Sequence, residues 1–280
     1  MVVTSEMVKQ LREKTGAGMM DCKKALDEAN GNMELAIEIL RKKGAATAAK
    51  RADKAANEGM IVAKVSDDAK RGIMVEINCE TDFVARGGDF VNFSTSIADI
   101  VFQHSPADVA ALLGLPHPNG RTVADALNDL IAKIGERTEI RRFTTMTANN
   151  GFIESYTHMG SKIAVMVEME GEFNPANKTL ARDIAMQVAA MSPLVVSREK
   201  VDKELINKEL EIYRQQAKNE GKPDHIAEKI ANGRLEKYYQ EVVLLEQSFI
   251  KDAGKTIKDI LPAHLVVKQF KRFQLGESAT

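Results

Sequence analysis

Apolar positions along the chain fall into successive regimes of different period. Over residues 1–43 they recur at helical spacing in three short runs. Val3, Met7, Val8 and Leu11 share one face behind a Thr4 or Ser5 cap. Gly16 and Gly18 interrupt it, and Met19, Cys22, Leu26 and Ala29 make a second face that Gly31 stops, with Asn32 as the next cap. Leu35, Ala36, Ile39 and Leu40 make a third face. Lys42-Lys43-Gly44 is expected to end that helix, with cations in the last turn and then a C-cap glycine. Residues 45–58 are rich in alanine without a wide apolar stripe and predict a solvated helical linker.

From Gly59 the pattern is that of strands. Residues 60–65 and 73–77 read as two strands about a Ser66-Asp67-Asp68 turn, and residues 139–147 as a third. Between them, Asp89 is a candidate cap for a helix with Phe90, Phe93, Ile97, Ile100 and Val101 on one face. Thr122 caps another, carrying Val123, Leu127, Leu130, Ile131 and Ile134 and ending at Gly135. The pattern then repeats. Gly151-Phe152-Ile153 matches Gly59-Met60-Ile61, and residues 164–168 match 72–76, both at an offset of 92 positions. Ser192-Pro193 matches Ser105-Pro106 at an offset of 87, so five residues are missing from the second copy. The gap falls where the first copy holds Thr81-Asp82-Phe83-Val84-Ala85-Arg86-Gly87-Gly88. Either the loop is a functional addition to a shared scaffold, or the two copies have drifted in loop length. The second copy has its own insertion: two polar helical runs broken at Gly221-Lys222-Pro223, read as an antiparallel helical hairpin over about residues 198–245. Leu265-Val266-Val267 through Leu275 reads as a last strand, although Val267, Phe270 and Phe273 do not alternate strictly. The expected organisation is α+β: a three-helix unit over 1–44, a linker over 45–58, and two homologous α+β subdomains with antiparallel sheets over 59–147 and 148–280.

Composition narrows the chemistry. With 39 basic and 40 acidic residues in 280, the net charge of −1 leaves no domain-wide basic excess to neutralise phosphates. Cys22 and Cys79 stand in no metal-ligand or CxxC spacing and read as free thiols of a reducing compartment. No apolar run approaches the ~18 residues of a membrane span, and the first residues carry no signal core, so a cytoplasmic protein is expected. Asp252-Ala253-Gly254-Lys255-Thr256 imitates the end of a P-loop, but the glycine required five positions before Gly254 is Phe249, which cannot make the open turn that cradles phosphate. The histidines have no metal-binding spacing and there is no nucleophile elbow. No enzyme and no bound cofactor or metal is expected. What stands out is an acid beside an aromatic in a glycine-flanked, mobile turn, Asp82-Phe83. The ring either fills an apolar pocket on a partner, a hot-spot role, or folds with Val84 into its own core.

The runs Thr15-Gly16-Ala17-Gly18-Met19-Met20-Asp21-Cys22-Lys23-Lys24-Ala25-Leu26 and Asn78-Cys79-Glu80-Thr81-Asp82-Phe83-Val84 resemble the bacterial elongation factor Ts family in sequence and order, as do Gly221-Lys222-Pro223 and Arg272-Phe273 with Gly276-Glu277. The resemblance covers nearly the whole chain. It implies a guanine-nucleotide exchange factor for elongation factor Tu, with a UBA-like N-terminal bundle and a coiled-coil hairpin in the second subdomain. It assigns Thr81, Asp82, Phe83 and Val84 to the loop that enters the partner's GTPase domain and disturbs its magnesium site. It implies partner contacts at Arg12, Met19, Met20 and Lys23, and a weaker one at His158. The magnesium and the GDP or GTP then belong to the partner. Some members continue past the Gly276-Glu277 match into a further contact module, which is not expected here. The competing expectation is a structural or RNA-associated adaptor that docks through the bundle and the hairpin.

Overall fold

In the computed structural model, which describes residues 2–277, three helices precede the first strand: α1 (Ser5–Thr15), α2 (Met19–Glu28) and α3 (Met33–Arg51). Thr4 caps α1 by accepting from the Met7 amide, and Gly16 ends it in the left-handed conformation. Asn32 caps α3 through the Leu35 amide. Val8, Leu11, Cys22, Ala25, Leu26 and Ala36 form the small core between the helices. Two expected core positions are not in it: Leu35 and Met19 are both exposed.

Gly44 does not end α3. The helix runs through it to Arg51, and Gly44 is buried against helix α7 (Val123–Ile134). A Cβ there would stand 3.2 Å from the Ala132 Cβ and 3.4 Å from the Asn128 carbonyl oxygen. The glycine is kept for close helix packing rather than for a turn, against its cost in a helix interior of about 1 kcal/mol relative to alanine. Helical structure thus occupies the first half of the 45–58 stretch, which continues the bundle's last helix.

The duplicated pattern is a duplicated structure. In the first copy β1 (Glu58–Val65), β2 (Arg71–Cys79) and β3 (Thr138–Thr147) form an antiparallel sheet in the order β1-β2-β3. Between β2 and β3 come the helical turn α4 (Asp82–Ala85), the long helix α5 (Gly88–His104), α6 (Val109–Leu113) and α7. In the second copy β4 (Gly151–Thr157), β5 (Ile163–Glu170) and β8 (Val266–Gln274) pair in the same way. The helix after β5 is α8 (Pro175–Met191). It has the 17 residues of α5, and both helices end on a left-handed serine followed by proline, Ser105 and Ser192. No helical turn separates β5 from α8, so α4 occupies the place of the five-residue difference. Then follow α9 (Lys203–Asn219) and α10 (Asp224–Val242), the short β6 (Ser248–Phe249) and β7 (Asp252–Thr256), and α11 (Ile257–Ile260). Helices α9 and α10 lie antiparallel, held by Arg214 to Glu228 and Lys218 to Asp224 near the Gly221 turn and by Leu210, Leu235 and Tyr239 at the base.

The two copies share details that composition alone would not demand. Gly59 and Gly151 stand at the start of the first strand of each sheet, second and first in it, and a Cβ at either would overlap a carbonyl oxygen of the neighbouring strand, at 2.1 Å from Ile77 and 1.8 Å from Met169. Each sheet also carries a bulge at the same place, between Glu76 and Ile77 in one and between Glu168 and Met169 in the other. The second bulge explains the irregular last strand. It takes up Lys268, so Val267 and Phe270 both face α8 as partners of Met169 and Val167, while Phe273 turns to the opposite face beside Ala164. Ile73, Val75 and Ile77 of β2 face α5, and Met74 meets Ile61, Ile153 and Met166 between the two sheets. There the buried Glu76 accepts from Arg142 Nε at 2.7 Å and from the Gly276 amide at 2.9 Å, tying the end of the chain to the first sheet. Among the described residues no helix is long and apolar enough to cross a membrane.

Two outcomes follow from this packing. Gly59→Ala and Gly151→Ala each lower unfolding stability by about 3 kcal/mol or more, because the new Cβ collides with backbone that cannot move aside. Gly233→Ala, where the surface of α10 is open, raises it by about 0.5–1 kcal/mol, so denaturant midpoints separate the two cases. The thiols give the other outcome. Burial, with the Glu136 carboxylate adding to it, pushes the Cys79 thiol up to about 12, and burial likewise raises Cys22. A thiol reagent at pH 8 therefore leaves both residues unmodified in the native chain and labels both in denaturant, the thiolate at Cys79 being scarcer on the order of a thousandfold.

Candidate functional site

Strand β2 ends at Cys79, and the next residues are clamped from two sides. Glu80 accepts from Arg51 Nη1 at 2.7 and 2.9 Å, on both its oxygens, and from the Arg137 amide at 2.5 Å. Thr81 gives its amide to Glu136 at 3.1 Å and its hydroxyl to the same carboxylate at 2.8 Å. The Thr81 hydroxyl oxygen also accepts from the Val84 amide at 3.3 Å, which makes it the N-cap of α4. The Cys79 thiol donates to the Thr81 carbonyl at 3.2 Å. Gly87 closes the turn through the Val84 carbonyl at 2.8 Å and caps α5 in place of Asp89, which sits in the first turn of that helix and pairs with Lys133.

The expectation of a mobile, glycine-flanked loop is therefore replaced by a capped and pinned helical turn. Neither Gly87 nor Gly88 adopts a left-handed conformation, so the glycines do not serve as hinges of that kind. The turn has an inside and an outside. Val84 and Ala85 pack against the core beside Met60 and Val62. Phe83 projects the other way and is 84% exposed. Of the two placements open for the ring and its neighbour, Val84 takes the inward one and Phe83 the outward one. Burying a phenylalanine contributes about 2 kcal/mol, and the free chain forgoes it here. Asp82 is paired with Arg86 one turn on, and both side chains are largely exposed. Such a pair contributes little and is easily exchanged for another partner.

The Arg137 amide, and after it Arg51, hold the Glu80 carboxyl below the usual carboxylate range. Its folded-state value is depressed, so its grip is present at neutral pH. It is lost only as pH falls through that lowered value.

The residues singled out in the bundle are gathered at one end of it. Arg12 lies in the last turn of α1, and Met19, Met20 and Lys23 in the first turns of α2, across the Gly16-Ala17-Gly18 junction. Met19 and Met20 are 59% and 63% exposed, against the usual preference of methionine for the interior. His158 lies in the turn between β4 and β5, exposed, with Nδ1 at 2.9 Å from the Tyr156 hydroxyl. Beside it stands Met159, which the sequence reading passed over and which is 89% exposed. Glu136, Glu80 and Arg51 were also passed over. Their partners lie 55 and 29 positions away, and no local pattern marks such a pair. Among the described residues no three His, Cys, Asp or Glu side chains are grouped to hold a metal ion.

A family model described as "Elongation factor TS" matches residues 80–277. Curated proteins named elongation factor Ts are similar over almost their whole lengths. That of Chloroherpeton thalassium is 48% identical over 98% of this chain and 99% of its own. That of Chlorobium limicola is 49% identical over 98% and 99%. A third, from Clostridium perfringens, is 46% identical over 99% of this chain and 94% of its own. The chain belongs to the elongation factor Ts family of translation elongation factors.

Proposed function

We propose that the chain is a guanine-nucleotide exchange factor, which binds elongation factor Tu in its GDP form and promotes release of the nucleotide in the cytoplasm. The observation that carries this reading is the outward Phe83 on a turn that Thr81 caps and Glu136 holds at its root. A large aromatic held in solvent on a rigid mount is an anchor prepared for a pocket elsewhere, because the ordering it needs is complete before the partner arrives. Asp82 stands next to it and is free to leave Arg86. It brings a carboxylate to the groups that position the partner's magnesium, while Thr81 and Val84 hold the turn in shape. Arg12, Met19, Met20 and Lys23 form a second contact on a UBA-like bundle, and His158 a third. The α9–α10 hairpin is the family's coiled coil.

No covalent step is needed. The factor and GDP bind one partner with negative coupling, so each weakens the other. By linkage, excess nucleotide drives the factor off. The magnesium and the nucleotide are the partner's, and this chain brings no cofactor of its own.

In a fluorescent-GDP release assay the wild-type chain accelerates release from elongation factor Tu. Phe83→Ala reduces the acceleration by about thirtyfold, equivalent to losing an anchor worth about 2 kcal/mol. Its unfolding midpoint stays at the wild-type value, since the ring is not part of its own core. An inert wild-type chain would end this reading.

A further inference from the structure

The two carboxylates that clamp the turn differ in what they connect. Glu136 joins it to the end of α7, within the same subdomain. Glu80 joins it to Arg51, the last residue of α3, and so to the N-terminal bundle. Helix α3 is unbroken over 19 residues, about 28 Å at 1.5 Å per residue. Its first half carries Ala36, Ile37 and Leu40 in the bundle core. Its second half lies on α7, with Gly44 close against Ala132 and the Asn128 carbonyl. The joint continues past the helix, where the Arg137 guanidinium donates to the Lys54 carbonyl and pairs with Glu139. Residues 51–54, 80–81 and 136–139 thus meet in one knot at the root of the turn.

The bundle is not packed flush on the subdomain. A groove of about 650 Å³ lies between α3 and the helices α5 and α7, lined among others by Thr15, Leu40, Asn92, Phe93 and Lys133. Beside it Arg41 of α3 meets Asp125 of α7 at 3.1 Å, a partly exposed pair that yields readily. A continuous helix that is packed closely at Gly44 and open to this groove on one side passes a tilt at its bundle end to the other end. That end is the Arg51 guanidinium, and the group it holds precedes the cap of α4 by one residue.

We propose that Arg51 is a positioning residue for nucleotide release: through Glu80 it sets the orientation of the α4 turn, and so passes the seating of the bundle on the partner along α3 to Phe83. This rests on the exchange reading above. Arg51 does not touch the partner's nucleotide or metal in this scheme. Its effect falls on how the ring is presented once the complex has formed.

The test uses the full-length chain in two measurements. Fluorescent-GDP release from elongation factor Tu is followed over a range of concentrations of wild type, Arg51→Ala and Arg51→Lys. Amide hydrogen exchange is followed in each free chain. Arg51→Ala is expected to lower the release rate at saturating factor at least about fivefold, leaving the half-saturating concentration within about twofold. Exchange over residues 80–88 is expected to rise about tenfold, with α7 unchanged. Arg51→Lys keeps the charge and recovers part of both. An active wild type with an unchanged Arg51→Ala saturating rate overturns the inference alone. Faster exchange spread through α7 and the sheets also overturns it, as the mark of a general loss of structure. An inert wild type removes the exchange reading and this inference with it.

Discussion

A helical turn of four residues has no stability of its own, because nucleation costs more than the few bonds it can close return. The α4 turn exists because its root is held from outside. Glu136 takes both donors of Thr81, Glu80 is fixed by Arg51 and the Arg137 amide, and Val84 and Ala85 are anchored in the core. With those restraints met, Val84 faces the core and Phe83 faces out. An exposed aromatic on a loose loop would lose ordering entropy on binding. The same ring on a clamped turn has already lost it.

The mount is a repeated scaffold with a small addition. Two sheets of three strands, each with an entry glycine at Gly59 or Gly151, a bulge at matching positions and a 17-residue helix ended by a left-handed serine, pack with Met74, Ile153 and Met166 between them. The copies diverge where the strand gives way to the helix. In the first, the chain spends its extra residues on α4. In the second it goes directly into α8, and the elaboration comes later as the α9–α10 pair. The duplicated part supports the turn from below, and the turn itself belongs to the part that is not duplicated.

Much of this was legible because it is local. Thr4, Asn32 and Thr122 are caps with a mechanism, and each does cap its helix. Gly16 and Gly135 are left-handed stops as their positions suggest. The internal offsets of the repeat located the added turn correctly. The failures were of another kind. Lys42-Lys43-Gly44 has the local form of a helix end, but Gly44 answers to Ala132, 88 positions away, and packing overrides the local signal. Asp89 has the form of a cap and is a salt-bridge partner of Lys133. The spacing of Val267, Phe270 and Phe273 looked irregular until the bulge at Lys268 accounted for it. The turn was expected to be mobile because its glycines were visible and its clamps were not. Arg51, Glu80 and Glu136 are ordinary surface charges in a sequence and become a clamp only when the fold brings them together.

In the exchange reading Phe83 enters the partner's GTPase domain in competition with nucleotide. Placing a photo-crosslinking phenylalanine analogue at position 83 and irradiating the chain with elongation factor Tu tests it most directly. The expected result is a crosslink mapped to the GTPase domain, formed with the GDP complex at low free nucleotide and suppressed by excess GDP with magnesium. A crosslink elsewhere on the partner, or one that excess GDP leaves unchanged, would contradict it.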